Sequence, residues 1–276
     1  MTVPLMNYLR LQSRHLLVRR GMLLAMGLSI LAVLGTHSRG GLLALAALTL
    51  VLWWRSKGKI ISGAVLCVVV AGAITFMPAN WEERMGTIRT YEQDSSATDR
   101  LELWGISWKL AMSRPLVGTG FTGPYQQSVV DTVQIGGNAR AVHSIWFAVL
   151  GEHGFPTFFV WLALTGAGVF YAMRLVRLTR GKPELSWAND LGRMAQVSVV
   201  AYVVGGTFLS LSYWDFYWTL LVVVAAAHAI VVKELAGQGE RGWRAVAASE
   251  GWKPRRAAAP VPEPGLSSWR RQGRPS

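Results

Sequence analysis

The chain has 276 residues, of which 51% are hydrophobic, and it carries a formal net charge of +13. A basic balance alone is typical of nucleic-acid-binding proteins, but here it accompanies long uncharged apolar runs, which indicate a membrane protein with basic edges. The single cysteine, Cys67, has no partner for an internal disulfide and no metal-ligand spacing around it. We interpret it as a small buried hydrophobe.

A membrane-spanning helix needs about 20 mostly apolar residues. Six runs of this kind are predicted as spans: residues 17–36, 40–54, 60–77, 144–173, 194–211 and 216–232. The predicted fold is an all-α integral membrane protein of about six transmembrane helices, with one large outer loop that contains an amphipathic helix. Its predicted parts are three N-terminal spans (1–77), the loop (78–142), three C-terminal spans (143–232) and a disordered basic tail (233–276).

The distribution of lysine and arginine predicts the orientation of these spans. With the N-terminus in the cytoplasm, 21 of the 28 basic residues lie on the cytoplasmic side, as expected from the positive-inside rule. The opposite orientation would put most of the positive charge outside. We therefore predict that both termini are cytoplasmic and that the 78–142 loop faces outward.

Arg39 interrupts two apolar runs in LAVLGTHSRGGLLALAALTLVLWW, residues 31–54. A charge inside a span is costly and indicates a functional site by default. One interpretation is that the guanidinium extends to the outer interface and anchors the helix. The other is anion binding, because a planar guanidinium matches phosphate oxygens, and Gly40 and Gly41 leave room for a head group.

The outer-loop segment SSATDRLELWGISWKLAMSRPLVGTGF, residues 95–121, predicts a helix. Asp99 is its predicted N-cap, with Glu102 three residues later. Apolar residues at helical spacing predict one face against the outer membrane surface: Leu101, Trp104, Trp108 and Ala111. Arg100 lies at the N-terminal end, where free amides favour anions; the alternative is an ordinary solvated arginine.

Residues 118–123, GTGFTG, formally match the dinucleotide-binding pattern GxGxxG. No strand precedes them and Pro124 follows at once, so a glycine-rich turn is the better interpretation. Gly118 and Gly120 are candidates for lining a reaction cleft. Metal-ligand spacing is absent from the sequence, and we predict no metal site.

The segment RAVHSIWFAVLGEHGF, residues 140–155, begins the fourth predicted span, with His143 at its outer end. An imidazole exchanges a proton near neutral pH and is a candidate general base beside a phosphate site, although a lone histidine is more often structural. Glu152 is either a cleft-lining residue or a packed, hydrogen-bonded carboxylate. Asp215, in the predicted outer turn SYWDFYW, either lines the same cleft or faces water.

Three segments together, THSRGGLLAL, DRLELWGISWKLAMSRPLVGTGF and HSIWFAVLGEHG, resemble the core of the bacterial O-antigen ligase and polymerase superfamily in order and spacing. The similarity covers about residues 20–175. The opening VPLMNYLRLQSRHLLVRRG resembles the branch of exosortase-associated O-glycosylation ligases. Members of the superfamily have more spans than the six predicted here, so we expect either missing N-terminal spans or a partner subunit.

The resemblance implies a multi-pass enzyme of the bacterial inner membrane, a glycosyltransferase that acts on the periplasmic side with no cofactor. The implied donor is a glycan on undecaprenyl diphosphate, the acceptor is a hydroxyl of a lipid or protein, and no nucleic acid takes part. By motif, Arg39 and Arg100 match arginines that hold the donor diphosphate, and His143 matches the histidine that activates the acceptor.

Two alternatives to a ligase are kept open. A polysaccharide polymerase of the same superfamily would use the same donor and a second lipid-linked glycan as acceptor. A non-enzymatic transporter of polyprenyl-linked glycans would carry charges along several spans and show internal symmetry; here the charges lie mainly at the outer ends of the spans.

Overall fold

The computed structural model describes residues 1–36, 39–55, 63 and 95–249, and these residues form helices joined by turns and loops. The helices are α1 (Thr2–Gln12), α2 (Leu16–Gly35), α3 (Arg39–Arg55), α4 (Ser95–Ser113), α5 (Gln127–Val130), α6 (Ile145–Leu178), α7 (Ser186–Gly206) and α8 (Asp215–Ser249), with short 3-10 turns at Gly123–Tyr125 and Pro183–Leu185. The predicted span at 60–77, apart from residue 63, and the loop segment 78–94 lie outside the described residues.

Three helices are long and apolar enough to cross a membrane: Leu16–Gly35, Ile145–Leu178 and Asp215–Gly237. A shorter apolar helix covers Gly40–Trp54. No residue of α2 is buried against the described chain, and Leu17 is 84% exposed. Such a surface is unfavourable in water but not in lipid. The all-helical, multi-pass membrane class is therefore confirmed, whereas six spans remain a prediction.

The described core lies where α6, α7 and α8 meet. Tyr202 of α7 stacks on Tyr217 of α8 with ring centroids 3.8 Å apart. Trp161 of α6 packs beside Tyr217 at 6.4 Å. The Tyr217 hydroxyl donates to Thr165 Oγ1 at 2.7 Å, so the polar tip of this fully buried tyrosine has a partner.

Helix α7 is surrounded by protein more than by lipid. Helix α1 runs antiparallel to it, since Gln12 Nε2 donates to Asp190 Oδ2 (3.1 Å) and Ser198 Oγ donates to the Met1 carbonyl (2.9 Å). Helix α3 contacts it through Leu48. This packing lets α7 carry more polar residues than a lipid-facing helix tolerates.

The start of α4 differs from its prediction. The helix begins at Ser95, so Asp99 lies in its second turn and the predicted N-cap is wrong. Leu101 and Trp108 of the predicted membrane-facing stripe are exposed, and the contact of this face with the membrane stays a prediction. A further set of residues is buried by protein: Leu103, Ile106, Ser107, Leu110 and Ala111. The loop that follows α4 supplies Val130 as a packing partner for Ile106 and Leu110.

The helix boundaries also extend beyond the apolar runs. Helix α6 ends at Leu178 rather than near residue 173. Helix α8 continues to Ser249, so helix occupies the first part of the segment predicted as a disordered tail. Residues 250–276 lie outside the described residues. The described residues divide into two units, Met1–Val231 and a second one that begins at Val232.

Packing of α6 against α7 predicts a difference between two glycines. A Cβ on Gly192 would lie 2.9 Å from the Ala172 carbonyl oxygen, whereas a Cβ on Gly166 of α6 would meet nothing within 4 Å. We expect Gly192→Leu to destabilise the protein by about 1–3 kcal/mol through overpacking. Gly166→Leu is the matched control and should leave the melting temperature in detergent unchanged or raised. Equal melting temperatures for the two variants would contradict this packing.

Candidate functional site

Helix α6 is broken inside its apolar run, and the break exposes backbone acceptors. Gly154 has φ 75° and ψ −175°, a left-handed conformation that favours glycine. Pro156 follows and has no N–H, so the Glu152 carbonyl lacks the donor that a continuous helix would give it. The Glu152 carbonyl and the neighbouring Gly151 carbonyl need hydrogen-bond donors from another segment, because an unpaired buried carbonyl is costly.

The glycine-rich segment, which we call the glycine loop (residues 115–121), supplies those partners. The Thr119 amide donates to the Gly151 carbonyl (3.2 Å), and the Gly120 amide donates to the Glu152 carbonyl (2.8 Å). In return, the Phe155 amide donates to the Pro115 carbonyl at 2.9 Å. The segment is thus a turn, as predicted, and it is attached to the broken turn of α6.

Gly118 makes this attachment possible. It has φ +63°, and a Cβ there would lie 2.4 Å from the backbone nitrogen of His153. Only a glycine combines that conformation with so close an approach. The residue therefore acts in holding the loop to α6.

His143 is held in an uncommon backbone conformation beside the start of α6. It is the only described non-glycine residue with positive φ, at 50°. Its amide donates to Ser210 Oγ at 3.1 Å. The preceding carbonyl, of Val142, accepts from the Trp104 indole of α4 at 3.1 Å. Strained residues fixed by their surroundings are concentrated at functional sites, and this one remains exposed to solvent.

Arg100 of α4 lies close enough to His143 to affect its protonation. Partial burial lowers the pKa of His143, and the positive charge of Arg100 lowers it further. Asp99, the neighbouring acid, is paired instead with Arg140 at 3.0 Å. Within the described chain no carboxylate forms an ion pair with Arg100, so its guanidinium is available to an anion.

A second group of side chains surrounds Glu152, which lies further along α6 than His143. Glu152 is 3% exposed, and its Oε2 accepts a 2.6 Å hydrogen bond from the Tyr213 hydroxyl. The rings of Phe121, His153 and Tyr213 contact one another, with centroids 4.4–5.6 Å apart. Burial and this carboxylate raise the pKa of Tyr213, so it stays a hydroxyl donor.

Phe121, Glu152 and Tyr213 border a cleft of about 630 Å³ between α6, the end of the glycine loop and the loop before α8. Its walls include Glu152, Tyr213 and Ser210, the serine that binds the His143 amide. The cleft and His143 are therefore adjacent parts of one region. Its volume lies within the roughly 300–1,000 Å³ of ordinary small-molecule sites.

The predicted site residues are only partly brought together. Arg100, His143 and Glu152 belong to this region. Gly118 and Gly120 support it from the glycine loop but lie outside the lining of the 630 Å³ cleft. Asp215 begins α8 and is also outside that lining. Arg39 begins α3, but its side chain lies outside the described residues, so its approach to the site stays a prediction.

Sequence reasoning did not identify Tyr213 or Ser210. A buried glutamate in an apolar helix signals that a partner exists. Nothing local identifies that partner, because Tyr213 is 61 residues away from Glu152. Among the described residues, no cluster of three or more His, Cys, Asp or Glu side chains is placed to hold a metal ion.

Comparison with known proteins assigns this site to a family. The sequence model described as O-antigen ligase matches residues 24–162, half of the chain, including Arg100, His143 and the broken turn of α6. The chain belongs to the O-antigen ligase family. Membership in the O-antigen ligase family implies glycan ligase- or polymerase-type activity, a glycosyltransferase-like enzyme and a lipid-linked glycan substrate. Searches of curated proteins and of solved structures give no match to this chain.

Two glycines of the loop allow a matched test of its attachment. Gly118 and Gly120 both have positive φ, but only at Gly118 would a Cβ meet the backbone of α6. We expect Gly118→Ala to detach the loop, lowering the melting temperature and any glycan transfer. Gly120→Ala should cost only about 1–2 kcal/mol of conformational strain. Thermal unfolding in detergent measures both, and a milder effect at Gly118 than at Gly120 would contradict the attachment.

Proposed function

We propose that this protein transfers a glycan from undecaprenyl diphosphate to a hydroxyl of a lipid or protein acceptor at the periplasmic face of the inner membrane. One observation carries the proposal: a solvent-accessible histidine, fixed at φ 50°, lies within the electrostatic influence of an arginine that has no acidic partner in the described chain. This arrangement suits a phosphate leaving group beside a general base.

In the proposed reaction, neutral His143 accepts the proton of the acceptor hydroxyl. The oxygen attacks the anomeric carbon of the donor sugar, and the bond from that carbon to the diphosphate oxygen breaks. The electron pair leaves with undecaprenyl diphosphate. Arg100 binds the diphosphate and stabilises the negative charge that develops on it in the transition state. Partial burial lowers the pKa of His143 and the positive charge of Arg100 lowers it further, which favours the neutral form that a base requires.

Arg39 is the proposed second ligand of the diphosphate. Its support is the sequence motif, in which Arg39 precedes Gly40 and Gly41 at the start of an apolar helix. Two arginines bound to the diphosphate would stabilise the negative charge of the leaving group, as a metal ion does in other reactions with a diphosphate leaving group.

The length of α6 supports a site at the membrane surface. The part of α6 after the break, residues 155–178, measures about 36 Å, whereas the hydrocarbon core is about 30 Å thick. The segment before the break at Gly154 therefore has room to lie at or outside the interface. We assign that end to the periplasm because the positive-inside rule puts the basic termini in the cytoplasm.

Three substitutions test the proposed roles. We expect His143→Ala to lower the rate of glycan transfer by about 10²–10⁴-fold through loss of the base. Arg100→Ala and Arg39→Ala should each lower it by at least about 10²-fold through loss of charge stabilisation. Transfer is measured with lipid-linked glycan and acceptor in nanodiscs, at equal protein levels.

Arg114→Ala is the control, because Arg114 is an exposed arginine at the end of the same outer segment. It should transfer glycan at the wild-type rate. If His143→Ala and Arg100→Ala also did so, the mechanism would be wrong. The acceptor separates the two activities. Transfer to lipid A core or protein indicates a ligase, and transfer to a second lipid-linked glycan indicates a polymerase.

The pH dependence of transfer follows from the lowered pKa of His143. A base works in its neutral form, so activity should be lost as the pH falls through the pKa of His143 in the folded protein. That pKa lies below the ordinary histidine value of about 6.5. Arg100→Lys keeps the charge and should leave this acidic limb in place. An acidic limb centred above pH 7 in the wild type would contradict the role of Arg100 in keeping His143 neutral.

A further inference from the structure

The cleft beside His143 differs in chemistry from the arginine side of the site. Its lining includes the buried Glu152 and three aromatic residues, Phe121, Tyr125 and Trp214. Phe121 and Tyr125 are 65% and 47% exposed. A carboxyl group among aromatic rings is a poor site for the diphosphate of a lipid carrier, which is esterified at both ends, has no hydroxyl proton to donate and is an anion.

Within the described chain the donor to the Glu152 carboxyl group is the Tyr213 hydroxyl, at Oε2. Oε1 is not among the fully buried side-chain oxygens of the described residues that lack a partner. A carboxyl group has further acceptor positions on both oxygens. The arrangement therefore suits a ligand rich in hydroxyl or N–H donors.

We propose that this cleft is a subsite for a sugar ring, with Glu152 accepting hydrogen bonds from the ring hydroxyls and Tyr213 positioning the carboxylate. A pyranose has hydroxyl donors on its edge and C–H groups on its faces, and aromatic rings present an electron-rich surface to such C–H groups. The carboxylate and the aromatic walls thus match the two kinds of surface that a sugar has.

The subsite is connected to His143 through one residue. Ser210 lines the cleft, and its Oγ accepts the His143 amide hydrogen. The cleft is therefore adjacent to the residue that carries the base, and Arg100 of α4 is close enough to that residue to affect its pKa. In this arrangement a diphosphate binds at the arginine and a sugar ring, of the donor or of the acceptor, binds at the carboxylate.

This inference rests on the proposed function but goes beyond it in assigning residues to the sugar. Tyr213, Ser210 and Trp214 lie outside the family match, which ends at residue 162. The subsite therefore combines residues of the region that matches the family with a loop from the C-terminal part of the chain, which lies after that region. That loop is attached firmly, since Tyr202 donates to the Leu211 carbonyl at 2.8 Å and Trp146 donates to Thr207 at 3.0 Å.

Binding to two carriers tests the subsite without requiring turnover. The full chain in nanodiscs is titrated with undecaprenyl diphosphate alone and with the same carrier bearing the host glycan. Glu152→Gln should weaken binding of the glycan-bearing carrier by roughly tenfold or more, because a hydrogen bond to a charged group is lost, and should leave the bare carrier within about twofold. Arg100→Ala should weaken both.

Further variants separate a sugar contact from a folding defect. Tyr213→Phe should weaken the glycan-bearing carrier less than Glu152→Gln does, and Phe121→Leu should reproduce the selective loss by removing a wall. Glu184→Gln, at an exposed acid in the Pro183–Leu185 turn, is the control and should change neither affinity.

The subsite can hold the sugar of the donor or that of the acceptor. If donor affinities are unchanged in Glu152→Gln but the KM for a glycan acceptor rises about tenfold, the cleft binds the acceptor sugar. If both donor affinities and the acceptor KM stay within about twofold of wild type, or if both carriers weaken equally, the subsite assignment is wrong. A wild-type protein that binds both carriers but transfers nothing would overturn the proposed function. The subsite would still be tested by the affinities of wild type and Glu152→Gln for the two carriers.

Discussion

The site depends on one break in the hydrogen-bond ladder of α6. At Gly154 and Pro156 the helix cannot complete its own bonds, and the carbonyls of Gly151 and Glu152 take donors from the glycine loop instead. This exchange attaches an outer loop to an apolar helix by backbone hydrogen bonds, and Thr119 Oγ1 adds a bond to the Gly151 carbonyl at 3.0 Å. It also fixes the turn that carries Glu152, which lines the cleft. The same helix begins directly after His143, so one element positions both the base and the carboxylate.

Electrostatics then divides the region into two parts. Asp99 is paired with Arg140, and no carboxylate of the described chain forms an ion pair with Arg100. Burial lowers the pKa of His143, and the charge of Arg100 lowers it further. Glu152 is buried on the other side and is held by Tyr213. A glycosyl diphosphate has the same division, with an anionic diphosphate on one side of the reacting bond and a hydroxyl-rich ring on the other. The proposed function uses the first part, and the proposed sugar subsite uses the second.

Features determined by local chemistry could be predicted from the sequence, whereas features that depend on distant contacts could not. Long apolar runs predicted the membrane class, and the glycine spacing predicted the turn at Gly118 and Gly120, because both patterns act within one element. The start of α4 was wrong, and its protein-packed face was not predicted, since Ile106 packs on Val130 of the following loop. Tyr213 was missed because only the folded chain brings it to Glu152. The family match extends over Arg100, His143 and Glu152, yet it ends before the loop that completes the cleft.

A cryo-electron-microscopy structure of the full chain in nanodiscs, bound to undecaprenyl-diphosphate-linked glycan, would test the central claim most directly. The claim is that the arginine and the histidine hold opposite sides of one reacting bond. It predicts diphosphate oxygens at hydrogen-bonding distance, roughly 3 Å, from the Arg100 guanidinium, with the anomeric carbon facing His143. A diphosphate bound elsewhere, with Arg100 and His143 both facing solvent, would contradict it.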